Sequence, residues 1–140
     1  MIPNKVAVVI GGGTINKVSP HFALCAPAYG STARKLCEIL KTYQNTTSED
    51  PKPLYDVELV LTKMADSKSV IETNEDLEAY VDSIISDYNV KLVFFSAAVC
   101  DFESKETYEE RLKSDSGITL SLTPSAKMIG KIRKARKDIS

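Results

Sequence analysis

The chain has 140 residues, 43% of them apolar and 26% charged, with a formal net charge of −1. A chain of that length makes one domain that buries about 68% of the surface its unfolded form exposes, and this composition excludes extensive disorder. The balanced charge excludes a sequence-wide field that would draw the chain to nucleic acid or to an anionic membrane, so neither is expected as a partner.

Val6-Ala7-Val8-Val9-Ile10 is a β-branched run that stops at Gly11-Gly12-Gly13, as a strand buried on both faces does. Residues 31–43 place Leu36, Cys37, Ile39 and Leu40 at near-helical spacing and are expected to form the first helix. Residues 44–53, QNTTSEDPKP, hold no apolar side chain and two prolines, and read as a solvated loop inside the domain. A second strand is expected over 56–62, where Val57, Leu59, Val60 and Leu61 supply the apolar positions.

Leu77, Tyr80, Val81, Ile84, Ile85 and Tyr88 then recur on one helical face, and Thr73 with Asp76 forms a capping-box pattern at its start. KLVFFS at 91–96 is expected to be a third buried strand and ITLSL at 118–122 a fourth. A basic helix is expected from Ser125 onward. Its cations, Lys127, Lys131, Arg133, Lys134, Arg136 and Lys137, read as a solvated helix end favoured by the C-terminal dipole.

Strand and helix in alternation imply right-handed crossovers, a mainly parallel sheet with helices on both faces, and so an α/β, Rossmann-like three-layer fold. The whole chain, 1–140, is expected to be a single domain. Ligands in such folds bind beyond the carboxyl ends of the strands, which directs attention to residues 11–30 and 96–113. Cys25, Cys37 and Cys100 are odd in number and not spaced as zinc ligands, which points to buried free thiols in a reducing cytoplasm. His21 is the only histidine and has no Cys, Asp or Glu at ligand spacing, so no metal centre is expected.

Several places could carry chemistry. Gly12 and Gly13, with no Cβ, can bring backbone N–H groups to a phosphate or can simply end a strand. Ala97 and Ala98 allow close approach at the end of the third strand, where Asp101 is either a ligand for a hydroxyl, amine or hydrated metal ion or a structural loop carboxylate. Arg111 and Lys113 can close over phosphates or form a solvated basic patch.

Taken together, Gly12-Gly13-Thr14, Ala97-Ala98-Val99-Cys100-Asp101-Phe102, Arg111-Leu112-Lys113 and Thr123-Pro124 resemble, in that order, the motifs of phosphopantothenoylcysteine synthetase, the synthetase domain of the DNA/pantothenate metabolism flavoprotein family. The resemblance covers nearly the whole chain. It implies a ligase of coenzyme A biosynthesis that joins 4'-phosphopantothenate to cysteine, with CTP or ATP activating the carboxylate as an acyl-nucleotide and Mg²⁺ balancing the phosphates. It further implies that Gly12, Gly13 and Gly30 contact the nucleotide, that Ala97, Ala98 and Asp101 line the substrate pocket, and that Asp101 and Lys113 serve catalysis. A homo-oligomer, or a complementary C-terminal subunit supplying the family's remaining segment, is implied as partner.

The family's Asn-x-Ser-Ser-Gly loop becomes Ala26-Pro27-Ala28-Tyr29-Gly30 here, and its interface Arg falls at Phe22. An alanine cannot donate the hydrogen bond that an Asn amide gives. These departures support a second expectation, a noncatalytic homologue that binds a nucleotide or a partner subunit.

Overall fold

Strand β1 (Lys5–Gly11) runs up the middle of the molecule, and β2 (Ile15–Ser19) and β3 (Phe22–Cys25) follow it as an antiparallel hairpin. Helix α1 (Ser31–Thr47) leads to β4 (Tyr55–Leu61), and α2 (Asn74–Ser86) leads to β5 (Val90–Phe95). Two short strands, β6 (Phe102–Ser104) and β7 (Leu122–Pro124), pair antiparallel before α3 (Met128–Ala135). This computed structural model describes residues 4–47 and 54–140.

β4 and β5 flank β1 in parallel, in the order β4-β1-β5. Because successive strand residues face opposite sides, Val8 and Ile10 pack against Leu77, Val81 and Ile84 of α2 and Met128 and Ile132 of α3. Val9 packs on the other side, against Ala33 and Cys37 of α1. The continuous apolar run of β1 is thus the signature of a middle layer covered twice. Burying Val8, Val9 and Ile10 contributes about 1.5–3 kcal/mol each, so a charge at any of them would separate the layers.

The expected capping box is present: Thr73 Oγ1 accepts the Asp76 N–H at 3.1 Å, and the Asp76 carboxylate accepts from Thr73 N–H and Glu72 N–H at 3.0 and 2.9 Å. Those two backbone donors hold the Asp76 carboxyl below the usual carboxylate range.

Six expectations need correction. Helix α1 continues through Thr47, past the loop expected from residue 44; the Gln44 amide accepts the Tyr55 N–H at 2.7 Å and donates to its carbonyl at 3.2 Å, so a polar last turn is fixed to β4 without apolar burial. Residues 48–53 of that expected loop lie outside the described residues. Ile39 is 50% exposed, because only the Ala33 and Cys37 side of α1 meets the sheet. The fourth strand is not a buried member of the main sheet: Ile118 is exposed, and β7 pairs with β6 alone. Cys25, on the β3 edge, is exposed, whereas Cys37 and Cys100 are buried free thiols.

The fifth correction concerns Arg136, which is buried and belongs to no solvated tail. Its guanidinium donates to the carbonyls of Ile85, Asp87 and Val90 at 3.0–3.1 Å and to the Asp138 carboxylate at 2.9 Å, and it stacks on the Tyr88 ring. The carbonyls left open at the end of α2 thereby gain a fork of donors from a distant residue. Tyr88, expected on the buried face of α2, stands past the helix end and is exposed. Beyond Arg136 the chain reaches the outer edge of β5, where Ser140 N–H donates to Lys91 O at 3.0 Å and Ser140 O accepts the Val93 N–H at 2.8 Å.

Candidate functional site at the carboxyl rim

Because β1, β4 and β5 are parallel, the turns leaving all three emerge at one rim, together with the starts of α1 and α2. The turn after β1 and the segment after β5 do not diverge there. Ser96 N–H donates to Ile10 O and Ala98 N–H to Gly12 O, each at 2.9 Å, and Thr14 N–H donates back to Ala98 O at 3.1 Å, which brings Gly13 opposite Ala98.

Side chains then lock the rim. The Asn74 amide donates to Cys100 O at 2.8 Å, and the buried Thr14 hydroxyl receives the Cys100 N–H at 2.9 Å. On the far side of the hairpin, the Asn16 amide donates to Phe102 O at 2.9 Å and to Ser125 Oγ at 3.2 Å. Buried amides and hydroxyls of this kind are stable only when paired, and each pairing here joins segments distant in the chain.

The glycines serve packing at this rim. Gly12 has a φ of 99°, and a Cβ on it would stand 2.1 Å from Thr62 Oγ1; Gly30 has a φ of 81°, and its Cβ would stand 2.9 Å from the Cβ of Ala65. Both let α1 and the turn after β1 press onto the residues following β4. The Gly13 N–H donates to Ala28 O at 2.8 Å, so this N–H and that of Thr14 are engaged by the chain itself and do not face an anion.

Two neighbouring cavities open at the rim. One, of about 320 Å³, is walled by Phe95, Ala97, Cys100, Asp101, Ala126 and Lys127. The other, of about 440 Å³, lies between the first turn of α2 and the start of α3, with Asn16, Lys17, Asn74, Glu75, Ser104 and Ser125 on its walls. Ser125, Ala126 and Met128 are common to both. The Asp101 carboxylate receives a hydrogen bond from Lys127 Nζ at 3.1 Å, and both side chains are largely exposed, so the pair is free to exchange for a ligand.

Of the residues singled out from the sequence, Gly12, Gly13, Ala97, Ala98 and Asp101 meet at this rim, and Gly30 stands at the start of α1. Lys113 does not join them. It lines a third cavity with Arg111, His21 and Phe22, against the β2–β3 hairpin. Lys127 is the cation at the side of Asp101, a position that sequence reading left in the basic tail. Asn16, Asn74 and Ser125 were also missed, and Thr14 was read only as the end of the Gly12-Gly13-Thr14 motif, without a role of its own; for the missed residues the one available signal was Asn74 directly after the capping Thr73, where a polar residue opens α2 toward the rim. Among the described residues no three His, Cys, Asp or Glu side chains cluster as a metal centre, and no helix is long and apolar enough to cross a membrane.

No protein-family model matches the sequence, and no curated protein matches it either. Solved structures share its fold, among them the following two. The DNA/pantothenate metabolism flavoprotein from Streptococcus pneumoniae is 15% identical over 98% of this chain and 67% of its own, with a TM-score of 0.64. The C-terminal domain of the coenzyme A biosynthesis bifunctional protein CoaBC is 16% identical over 99% of this chain and 62% of its own, with a TM-score of 0.62. The Rossmann-like α/β architecture expected from the sequence is therefore the observed one, and the chain spans about two thirds of the length of these structures.

Proposed function

We propose that this protein is a phosphopantothenate–cysteine ligase-like member of the coenzyme A pathway, working at the carboxyl rim. The observation that carries the reading is the junction of the turn after β1 with Ala97, Ala98 and Asp101 beside a cavity of about 320 Å³. That junction lies in a fold shared, over nearly the whole chain, with two proteins named for pantothenate and coenzyme A metabolism.

The chemistry asks for charge control. A carboxylate is a poor electrophile at neutral pH, so one of its oxygens attacks the α-phosphate of CTP or ATP, pyrophosphate leaves, and an acyl-nucleotide forms. The amine of cysteine then attacks the acyl carbon and expels the nucleoside monophosphate, losing a proton as the amide forms. Both steps gather anions, and preorganised cations and donors stabilise them. Lys127 supplies positive charge next to Asp101, and Asp101 is placed to orient the incoming ammonium or the Mg²⁺ that travels with the nucleotide, which needs only one or two carboxylates beside the phosphates. Ala97 leaves room for substrate at the strand end. The catalytic role implied for Lys113 requires residues 105–121 to leave the position in which Tyr108 N–H bonds Val18 O.

Ala26 and Ala28 favour a second reading, a noncatalytic homologue that binds nucleotide or a partner subunit. Ala28 uses its carbonyl to hold Gly13 and has no side-chain donor to offer an intermediate. A homo-oligomer or a complementary C-terminal subunit is the partner that the resemblance implies under either reading. The three free cysteines accord with a cytoplasmic location.

Pyrophosphate release separates the two. The chain is mixed with phosphopantothenate, cysteine, Mg²⁺ and either CTP or ATP, alone and with a C-terminal segment supplied separately. The ligase reading expects release that depends on both phosphopantothenate and one of the nucleotides. Thermal stabilisation by nucleotide with no product in any mixture selects the second reading, and neither effect rejects both.

A further inference from the structure

We infer that the outer edge of β4 is a self-association surface, taken by the β4 of a second copy running antiparallel across a two-fold axis at Leu59. β4 is the outermost strand of the main sheet, so one side of its backbone faces β1 and the other faces away. Thr62 N–H donates to Gly11 O, which turns Glu58 and Val60 toward β1 as well and leaves the N–H and C=O groups of Tyr55, Val57, Leu59 and Leu61 pointing outward. At Tyr55 both groups are taken by the Gln44 amide. Among the described residues nothing bonds those of Val57, Leu59 and Leu61.

An open strand edge is a template for another strand, and folded chains blunt theirs with a lysine, a proline or a bulge. β4 reads YDVELVL, with no lysine or proline, and its register against β1 is unbroken. Val57 and Leu61 pack toward Ala33 and Cys37 of α1, whereas Leu59, between them on the same face, is 38% exposed.

Register decides the occupant. Antiparallel strands bond only where outward groups meet outward groups, so a two-fold axis has to pass through a residue of the strand. An axis at Val57 sets Asp56 opposite the copy's Glu58, and one at Glu58 sets that carboxylate against itself; both also need Tyr55, which Gln44 holds. An axis at Val60 or beyond leaves Val57 past the end of the facing strand. At Leu59 the fit is complete: Leu59 meets its own copy, Val57 meets Leu61 and Glu58 meets Val60, so every open residue is bonded and no carboxylate faces another. The strand is complementary to itself in this one register, a constraint that a foreign segment has no reason to share. Pairing joins two three-stranded sheets into one, away from the hairpin tip where the resemblance places an interface residue at Phe22. It needs neither nucleotide nor turnover, so it stands or falls apart from the ligase reading. One contact opposes it: Glu58 and its copy lie diagonally across the axis, roughly 7–8 Å apart, where repulsion is weak.

Sedimentation equilibrium of the full chain from micromolar to millimolar concentration tests it. A reversible association step is expected, weak because one added strand buries less than the roughly 1,200 Å² of a standard interface. Leu59→Lys sets two ammonium groups face to face at the axis and should weaken that step about tenfold, with the melting temperature of the unassociated chain unchanged. Glu58→Gln should tighten it about two- to fivefold, and added salt should act in the same direction. In a Cys25→Ser background, Leu59→Cys should oxidise to a covalent dimer, since residues facing each other in a hydrogen-bonded pair stand about 5.5 Å apart. Val70→Cys, at a position 88% exposed and off this edge, should not. A chain still monomeric at millimolar concentration leaves the edge to some other strand and overturns the inference. So does association that survives Leu59→Lys intact, or a Leu59→Cys crosslink no more efficient than that of Val70→Cys.

Discussion

Thr14 Oγ1 donates to Asn74 Oδ1 while accepting the Cys100 N–H, so one buried hydroxyl joins the turn after β1, the first residue of α2 and the segment after β5. Its methyl-for-hydroxyl replacement, Thr14→Val, keeps the volume and removes both bonds. Two buried polar groups are then left unpaired, and a loss of about 1–3 kcal/mol in urea denaturation is expected. Thr14→Ser, which retains the hydroxyl, should recover most of it.

Arg136 closes α2 in a comparable way from the other end of the helix. Arg136→Met leaves the carbonyls of Ile85, Asp87 and Val90 without donors and the Asp138 carboxylate without its guanidinium, and should cost about 3–5 kcal/mol of stability. Arg136→Lys should recover little, because a single ammonium cannot reach the several acceptors that the planar fork serves at once. Thermal unfolding of the two variants beside the parent is the measurement.

Acid should weaken the fold through two carboxyls. Asp76 is held below its ordinary value of 3.8 by the Thr73 and Glu72 N–H groups, and Asp138 by the Arg136 guanidinium and the Lys91 ammonium. A folded-state value below the unfolded one means that the stabilisation is complete above about pH 5 and is lost as pH falls through the folded-state values. Stability measured from pH 6 down to 2 should therefore decline, and Asp76→Asn, which cannot titrate, should flatten part of that slope. An unchanged slope would deny Asp76 this role.

Gly12 separates packing from anion binding. Gly12→Ala places a Cβ against Thr62 at a φ that L side chains avoid, and should destabilise the unliganded chain by about 1–3 kcal/mol. Were the glycine instead kept for phosphate approach, nucleotide affinity would fall with the unliganded stability intact.

Much of this architecture is legible from local pattern. The apolar run of β1, the period of α2 and its Thr73–Asp76 cap each encode their structure within a few neighbouring residues, and the observed elements follow them. The rim positions of Ala97 and Asp101 follow from strand direction alone. What stayed hidden depends on partners far along the chain. Arg136 reads as one more cation in a basic tail until the end of α2 is seen beneath it, and Gln44 reads as loop until Tyr55 stands opposite. The β2–β3 hairpin lacks a two-residue glycine turn, so its sequence gives no short-range signal. Lys113 and Lys127 could be assigned to their cavities only by the path of residues 105–121, which local pattern does not specify.

Whether nucleotide occupies the carboxyl rim can be read directly from alanine methyl resonances, titrated with CTP·Mg²⁺ and with ATP·Mg²⁺. One of the two should shift Ala97 and Ala126, which wall the cavity beside Asp101, saturably and without disturbing Ala33 beneath α1, and Asp101→Asn or Lys127→Gln should weaken the effect. Ala97 and Ala126 unmoved at millimolar nucleotide, or shifts confined to residues away from that cavity, would contradict a nucleotide-dependent reaction at this rim.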